Sequence, residues 1–156
     1  LLQDKPKEVV AISEKLGAQA IVATMPIALK NGSLNWIDYR SGVSANQDIQ
    51  AVFKLAEDRI ISELLLVDYE NDGRKNGFDF ELLSVFPETE ASLILFGGIS
   101  EIEQVDKALL INNVSAVAVG NFLNYKEHAV QNYKKNLMKN CIRPPFYSDY
   151  VSVKDL

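Results

Sequence analysis

The feature that most constrains the fold is a short apolar segment that occurs four times, each time followed by a segment with helical spacing. The apolar segments are AIVATM (20–25), ELLLVDY (63–69), ASLILF (91–96) and SAVAV (115–119). They are continuously apolar rather than alternating, which is typical of strands covered on both faces. Strands separated by single helices pair in parallel through right-handed crossovers. The pattern therefore predicts an α/β fold with a parallel sheet.

Helix signals separate and flank these strands. A first helix is expected to begin at Asp4 and Pro6 and to stop at Gly17, and a second spans 48–59. The third is capped by Asp79, a fourth by a capping box of Ser100 and Glu103, and the last begins at Asn124 and Glu127. Asn31-Gly32 after the first strand predicts a hairpin-like excursion that carries Trp36, for which burial is favoured over an exposed contact patch.

Charge and composition exclude several classes of partner. The net charge of −5 and the pI of 4.9 would repel polyanions, so no nucleic acid partner is expected. The longest apolar runs are strand-sized, so no membrane span is expected either. One cysteine, Cys141, and one histidine make an internal disulfide or a zinc cage implausible, which fits a reducing cytoplasm. We expect neither a metal nor a cofactor.

The acidic stretch VDYENDGRKNGFD has two possible explanations. Five of its residues fall at positions 1, 3, 5, 6 and 12 of a calcium-binding EF-hand loop: Asp68, Glu70, Asp72, Gly73 and Asp79. However, an EF-hand loop follows a helix, whereas the preceding ELLLVDY has the pattern of a buried strand. The stretch is therefore interpreted as a loop at the carboxyl end of a parallel strand, where α/β folds bind ligands.

Glycines follow three successive strands. The pairs are Asp72-Gly73, Gly97-Gly98 and Gly120-Asn121. Glycines at such positions let backbone N–H groups approach a phosphate, and the following helix adds a favourable dipole. The alternative is that the glycines only make tight turns. Their occurrence in neighbouring loops makes a phosphorylated ligand an equal alternative to tight turns, and both explanations stay open.

The order GAQAIVATM, ELLLVDYENDGRKNGFD, LILFGGIS and AVAVGNFLNYKE resembles the carboxyl-terminal half of the cyclase subunit of imidazole glycerol phosphate synthase, the HisF family. The resemblance covers residues 4–140. It implies a parallel barrel of the TIM type, a (βα)8 barrel of which residues 1–140 supply about the last four βα units, as a half-barrel. Residues 141–156 are expected to form an extended strap and tail.

The resemblance also implies roles for particular residues. The family motif D-x-D-G-T-x-x-G-x-D corresponds to the stretch from Glu70 to Asp79. The phosphate-binding residues that the resemblance implies are Asp72, Gly73, Gly97, Gly98, Gly120 and Asn121. At the start of the second predicted strand, Glu63 occupies the position of a family glutamate in the gate through which ammonia enters the barrel. A solvated charge at a strand start is at least an equal alternative for Glu63.

Departures from the family pattern affect its chemistry. The catalytic aspartate that the family places on the fifth barrel strand corresponds here to Pro26, which cannot transfer a proton. The first acid of the loop motif is Glu70, and the usual threonine is Arg74. No catalytic residue is therefore assigned firmly, and Glu70 and Asp72 remain candidates.

Three functions fit these observations. One is a HisF-like subunit of a glutamine amidotransferase system, which closes an imidazole ring in histidine biosynthesis with ammonia from a glutaminase. The second is a diverged paralogue that delivers ammonia for amidation of a surface sugar. The third is a structural half-barrel that dimerises. The chain begins Leu1-Leu2-Gln3 without methionine, so we expect a fragment that needs an amino-terminal half or a second copy to close the barrel.

Overall fold

The computed structural model describes residues 5–46, 49–120, 123–124 and 128–137. A five-stranded sheet forms its centre, with the strand order β2-β1-β3-β4-β5. β1, β3, β4 and β5 are mutually parallel, and β2 is antiparallel to β1, so the predicted α/β fold with four parallel strands is confirmed. The strands are β1 (Val22–Lys30), β2 (Ser33–Trp36), β3 (Glu63–Asp68), β4 (Ser92–Phe96) and β5 (Val114–Val117).

Helices precede, separate and follow the parallel strands, as the apolar spacing predicts. They are α1 (Pro6–Leu16), α2 (Ile49–Glu57), α3 (Glu81–Val85), α4 (Ile102–Leu109) and α5 (Ala129–Asn136). Among the described residues, no helix is both long enough and apolar enough to cross a membrane. The predicted strap and tail at 141–156 lie outside the described residues.

The hairpin after the first strand extends that strand beyond its predicted end. β1 continues from residue 25 to Lys30 because β2 pairs with its second half, from Ile27 opposite Trp36 to Lys30 opposite Ser33. Asn31 and Gly32 both have positive φ, which suits the tight turn between two antiparallel strands. Trp36 is only 2% exposed, so the prediction of buried packing is confirmed.

The predicted capping box of α4 is wrong by one residue. Glu101, not Ser100, is the N-cap, and its partner three residues later is Gln104, not Glu103. Gln104 Oε1 accepts hydrogen bonds from the N–H groups of Ser100 (2.9 Å) and Glu101 (3.1 Å). Ser100 is buried, and its carbonyl oxygen accepts a hydrogen bond from the Tyr133 hydroxyl. The extended residue directly before the helix is Glu101.

The predicted cap of α3 at Asp79 is wrong by one residue, because Phe80 is the N-cap, although the side chain of Asp79 still binds the first turn of the helix. Its Oδ1 atom accepts the N–H group of Glu81, the first residue of the helix, at 3.0 Å.

The two faces of the sheet differ in exposure. Alternate residues such as Met25, Leu64, Leu66 and Leu95 are fully buried and belong to the hydrophobic core that includes α2, α3 and α4. Their neighbours lie on the other side, which we call the open face. In strand register, the open face consists of rows Val22-Glu63-Ser92, Thr24-Leu65-Ile94-Ala116 and Pro26-Val67-Phe96. Several of its apolar side chains are partly exposed, which is consistent with one layer of a TIM-type fold.

A matched pair of leucines tests this assignment of faces. In the 156-residue chain, Leu66→Ala should lower the free energy of unfolding by about 2–5 kcal/mol, because it removes a fully buried side chain. Leu65→Ala, one residue earlier on the open face, should lower the free energy of unfolding by less than half as much. Urea denaturation of both variants gives the comparison. Equal losses would show that the open face is as well packed as the core.

Candidate functional site

The carboxyl ends of the four parallel strands lie at one edge of the sheet, which we call the rim. The parallel strands end there at Lys30, Asp68, Phe96 and Val117. In parallel sheets of this kind, the loops after the strands supply the ligand-binding groups. The glycine pairs of the sequence follow β3, β4 and β5, so they belong to three adjacent loops of the rim.

Asp68 organises the loop between β3 and α3. It is 1% exposed, and its carboxylate accepts three hydrogen bonds, two from Asn71 (backbone N at 3.2 Å, Nδ2 at 2.7 Å) and one from the N–H group of Asp79 (2.9 Å). Its carbonyl oxygen also accepts the N–H group of Asp72 at 2.9 Å. One buried carboxylate thus ties together both ends of a loop of about ten residues. Hydrogen bonds to an ionised group are among the stronger ones in proteins.

The loops after β3 and β4 are in direct contact. Gly77 donates its N–H to the carbonyl oxygen of Gly98 at 3.0 Å. A Cβ atom at Gly98 would overlap the carbonyl oxygen of Gly77, and one at Gly97 would lie 2.5 Å from the carbonyl oxygen of Asp68. Both glycines also have positive φ. Glycine is therefore required here by close approach of two loops as well as by turn geometry.

The other predicted phosphate residues are placed differently. Gly73 lies at an exposed turn, with no described atom within 4 Å of the position of a Cβ, and Asp72 is exposed beside it. Gly120 packs against the ring of Phe96, because a Cβ atom placed at Gly120 would lie 3.2 Å from Phe96 Cε2. Gly120 therefore adjoins the end of β4. Asn121 lies outside the described residues. The structure thus joins the first two loops through Gly77, not through Asp72-Gly73.

Two backbone N–H groups lack a described acceptor where the two loops meet. Within the described part of the chain, the N–H groups of Gly97 and Gly98 have no hydrogen-bond acceptor. The next two amides that lead into α4, those of Ser100 and Glu101, are already bound by Gln104. An anion at this point of the rim would therefore be held by the glycine amides rather than by the first amides of the helix.

Pro26 and Glu63 occupy different levels of the open face. Pro26 is buried in register with Val67, and its carbonyl accepts the N–H group of Ile37 at 3.0 Å. Glu63 begins β3 and is partly exposed at the amino ends of the strands, opposite the rim. Glu70 is exposed in the loop directly after β3.

The structure gives a physical reason to discard the calcium interpretation of the acidic loop. β3 leads directly into the loop where an EF-hand would have a helix. The carboxylate of Asp68 is occupied by N–H donors. Among the described residues, no group of three or more His, Cys, Asp or Glu side chains is arranged to hold a metal ion.

A polar cluster at the rim was not predicted from the sequence. Asn35 Nδ2 donates a hydrogen bond to the Tyr69 hydroxyl at 3.0 Å, and Lys30 Nζ lies 5.9 Å from the centre of the Tyr69 ring. The Tyr39 hydroxyl also interacts with this cluster: partial desolvation, then the charge of Asp72 and then Tyr69 raise its pKa. Side chains alternate between the two faces of the hairpin strands. This alternation could have located the cluster from the sequence if β1 had been known to continue to Lys30.

Two glycine substitutions separate the cost of loop contact from the cost of a positive φ. Gly73→Ala should destabilise the chain by about 1–2 kcal/mol, because alanine is strained at φ +75° but meets no neighbour. Gly98→Ala at φ +71° should cost about 1–3 kcal/mol more, because its methyl group collides with the Gly77 loop. Thermal or urea unfolding measures both. Equal costs would contradict the close contact between the loops.

Comparison with known proteins agrees with the fold and the loop order. A family model described as "Histidine biosynthesis protein" matches residues 2–129. Similar curated proteins are HisF subunits of imidazole glycerol phosphate synthase from Endomicrobium trichonymphae (31% identity over 140 residues) and Flavobacterium psychrophilum (28% over 141). These alignments cover 88% of this chain, but 53% and 55% of the respective relatives.

The HisF subunit from Dictyoglomus thermophilum gives the same result, with 28% identity over 142 residues, 89% of this chain and 56% of the relative. The chain thus spans about half the length of the curated relatives that it matches. The family model covers most of the chain and includes all the parallel strands and the glycine loops. The resemblance inferred from the motifs is confirmed, and the chain belongs to the histidine biosynthesis protein family, as a HisF-like member.

Proposed function

We propose that this chain is part of a HisF-like subunit that holds a phosphorylated small molecule at the rim and uses or conducts ammonia supplied by a glutaminase. The observation that carries the proposal is the pair of available amides at Gly97 and Gly98, fixed between the Asp68 loop and the end of β4. Successive backbone N–H groups in a turn can bind an anion without requiring a cation. The name of the relatives, imidazole glycerol phosphate synthase, fits a phosphorylated ligand.

The open face supports closure into a barrel. β2 pairs only with 27–30 of β1, so the other edge of Val22 to Met25 has no strand partner among the described residues, and neither does the outer edge of β5. Partly exposed apolar residues such as Leu65 and Ile94 lie between these two edges. We infer that an amino-terminal half of the full-length protein pairs with both edges and covers them. A second copy of the chain is the alternative occupant, as in a half-barrel that dimerises.

The open face also offers a route for ammonia. Glu63 lies in the row at the amino ends of the strands, and above it lies a row made of Thr24, Leu65, Ile94 and Ala116. In a closed barrel these mostly apolar side chains would line the path toward the rim. Such a lining favours neutral ammonia over ammonium, because an ion would lose its hydration there. Glu63 is thus the proposed gate residue.

Pro26 favours ammonia delivery over ring closure by this protein. It occupies the level of the open face where the family resemblance places a proton-transferring aspartate, and proline has no group to transfer a proton. Such groups typically contribute about 10² to 10⁴ in rate. Glu70 is the nearest carboxylate in sequence among the candidates, but it extends from the loop after β3 and is exposed. The ammonia acceptor would then belong to another enzyme, for instance one that amidates a surface sugar.

The assay for this proposal uses full-length protein with ammonium added directly, so that no glutaminase is required. Loss of the phosphoribulosyl substrate of the cyclase reaction is followed with time. We expect turnover far below the rate of about 1 s⁻¹ or more that is usual for metabolic enzymes. Pro26→Asp should raise it if the substrate binds, because the variant restores a carboxylate on the open face.

Unaltered protein that turns over at about 1 s⁻¹ or faster would contradict ammonia delivery and make this protein a cyclase. Because a buried aspartate can destabilise β1, the unfolding of Pro26→Asp is measured in parallel. The matched control is Ser33→Asp, which adds the same charge at an exposed position of the neighbouring β2 and should leave turnover unchanged.

A further inference from the structure

Three polar residues project toward one point of the rim. Along β1, Pro26, residue 28 and Lys30 alternate onto the open face, and beyond the end of β3 Tyr69 follows Val67 on that face. Asn35 of β2 lies opposite residue 28 of β1. Lys30, Asn35 and Tyr69 therefore stand together at the rim, beyond Pro26.

The hydrogen bond between two of them fixes the orientation of both. Asn35 Nδ2 donates to the Tyr69 hydroxyl oxygen at 3.0 Å, so the hydroxyl hydrogen of Tyr69 is left to donate to another group. The carbonyl oxygen of the Asn35 side chain has no donor among the residues that the structure describes. The pair therefore offers one donor and one acceptor side by side.

Charged groups flank this pair. Lys30 Nζ lies 5.9 Å from the centre of the Tyr69 ring and forms no ion pair with a described carboxylate. Tyr39 is 59% exposed, and Asp72 is exposed close to it. Partial desolvation of the Tyr39 hydroxyl, followed by the negative charge of Asp72, raises the pKa of that hydroxyl. The surroundings thus combine one cation, one carboxylate and two hydroxyls.

The cluster is continuous with the glycine loops. Tyr69 follows Asp68, whose carbonyl oxygen closely approaches Gly97. The N–H group of Tyr69 is bonded to the carbonyl of Ile27 at 3.2 Å, which fixes the start of the loop against β1. A ligand with its phosphate at Gly97 and Gly98 that extends along the rim toward β1 would therefore reach Tyr69 and the hairpin.

We propose that Lys30, Asn35 and Tyr69 form a subsite for the polyhydroxylated part of a sugar phosphate, beside the glycine amides that bind its phosphate. A mixture of donors and acceptors suits neighbouring hydroxyl groups, whereas a purely anionic ligand would find the acceptor oxygen of Asn35 and the carboxylate of Asp72 unfavourable. This subsite rests on the proposed function for the position of the phosphate. It assigns ligand contacts to residues of the hairpin and of the β3 loop.

The test compares two probes on the full-length protein, ribose 5-phosphate and inorganic phosphate. Backbone amide shifts of Gly97 and Gly98 report phosphate binding, and the side-chain amide of Asn35 reports occupation of the subsite. We expect ribose 5-phosphate to shift both sets of signals and inorganic phosphate to shift the glycines alone. Because the glycine and asparagine signals are independent, the experiment distinguishes failure of the phosphate site from failure of the subsite.

Two variants measure what the subsite adds to affinity. Tyr69→Phe removes one hydroxyl, and should weaken ribose 5-phosphate binding by about 5- to 10-fold while leaving inorganic phosphate binding unchanged. Lys30→Met should also weaken ribose 5-phosphate binding. Because Lys30 is exposed, this substitution should leave the fold intact. Lys7→Met is the matched control, an exposed lysine on α1 that should change neither affinity.

Each result has a defined consequence. Glycine shifts without an Asn35 shift would overturn the subsite and leave the phosphate site standing. An Asn35 shift without glycine shifts would support the sugar contact and overturn the phosphate site. Silence at both positions would overturn both. Equal affinities of the unaltered protein, Tyr69→Phe and Lys30→Met for ribose 5-phosphate would also overturn the subsite.

Discussion

The buried carboxylate of Asp68 is the interaction on which the arrangement of the rim depends. A carboxylate that is 1% exposed requires hydrogen-bond donors, and here the donors come from Asn71 and Asp79, at the two ends of one loop. Satisfying this group therefore folds the loop back on itself. The folded loop in turn presents Gly77 to Gly98, where only glycine leaves enough room.

This constraint connects the fold to the proposed chemistry. Among the residues that the structure describes, the loop contact leaves the amides of Gly97 and Gly98 without an acceptor, and we expect this arrangement to be preformed. Preorganised donors bind an anion without the cost of ordering a loop. The same loop starts with Tyr69, so phosphate and sugar contacts would be set by one structural unit. Below the rim, Pro26 lies in the row with Val67 and Phe96, and in the proposed function it replaces the proton-transferring aspartate that the family resemblance implies.

The sequence was sufficient to predict the parallel strands, the hairpin turn and the family, because continuous apolar segments, Asn31-Gly32 and the glycine loops are local signals. The end of β1 was not predictable in this way, because β1 reaches Lys30 only through pairing with β2. The role of Asp68 depends on Asp79, and the Asn35–Tyr69 bond joins residues 34 positions apart. Contacts of this kind arise from packing of strands and loops, which apolar periodicity does not encode.

The most direct test of this account is amide hydrogen exchange in the full-length protein without ligand. If Asp68 holds the loop against Gly98, the N–H groups of Gly77 and Asp79 should exchange about as slowly as amides within β3, since both are hydrogen-bonded. The amides of Gly73 and Lys75 in the exposed turn should exchange rapidly. Exchange of Gly77 and Asp79 as fast as that of Gly73 would show that the loop is not preformed and would contradict the account.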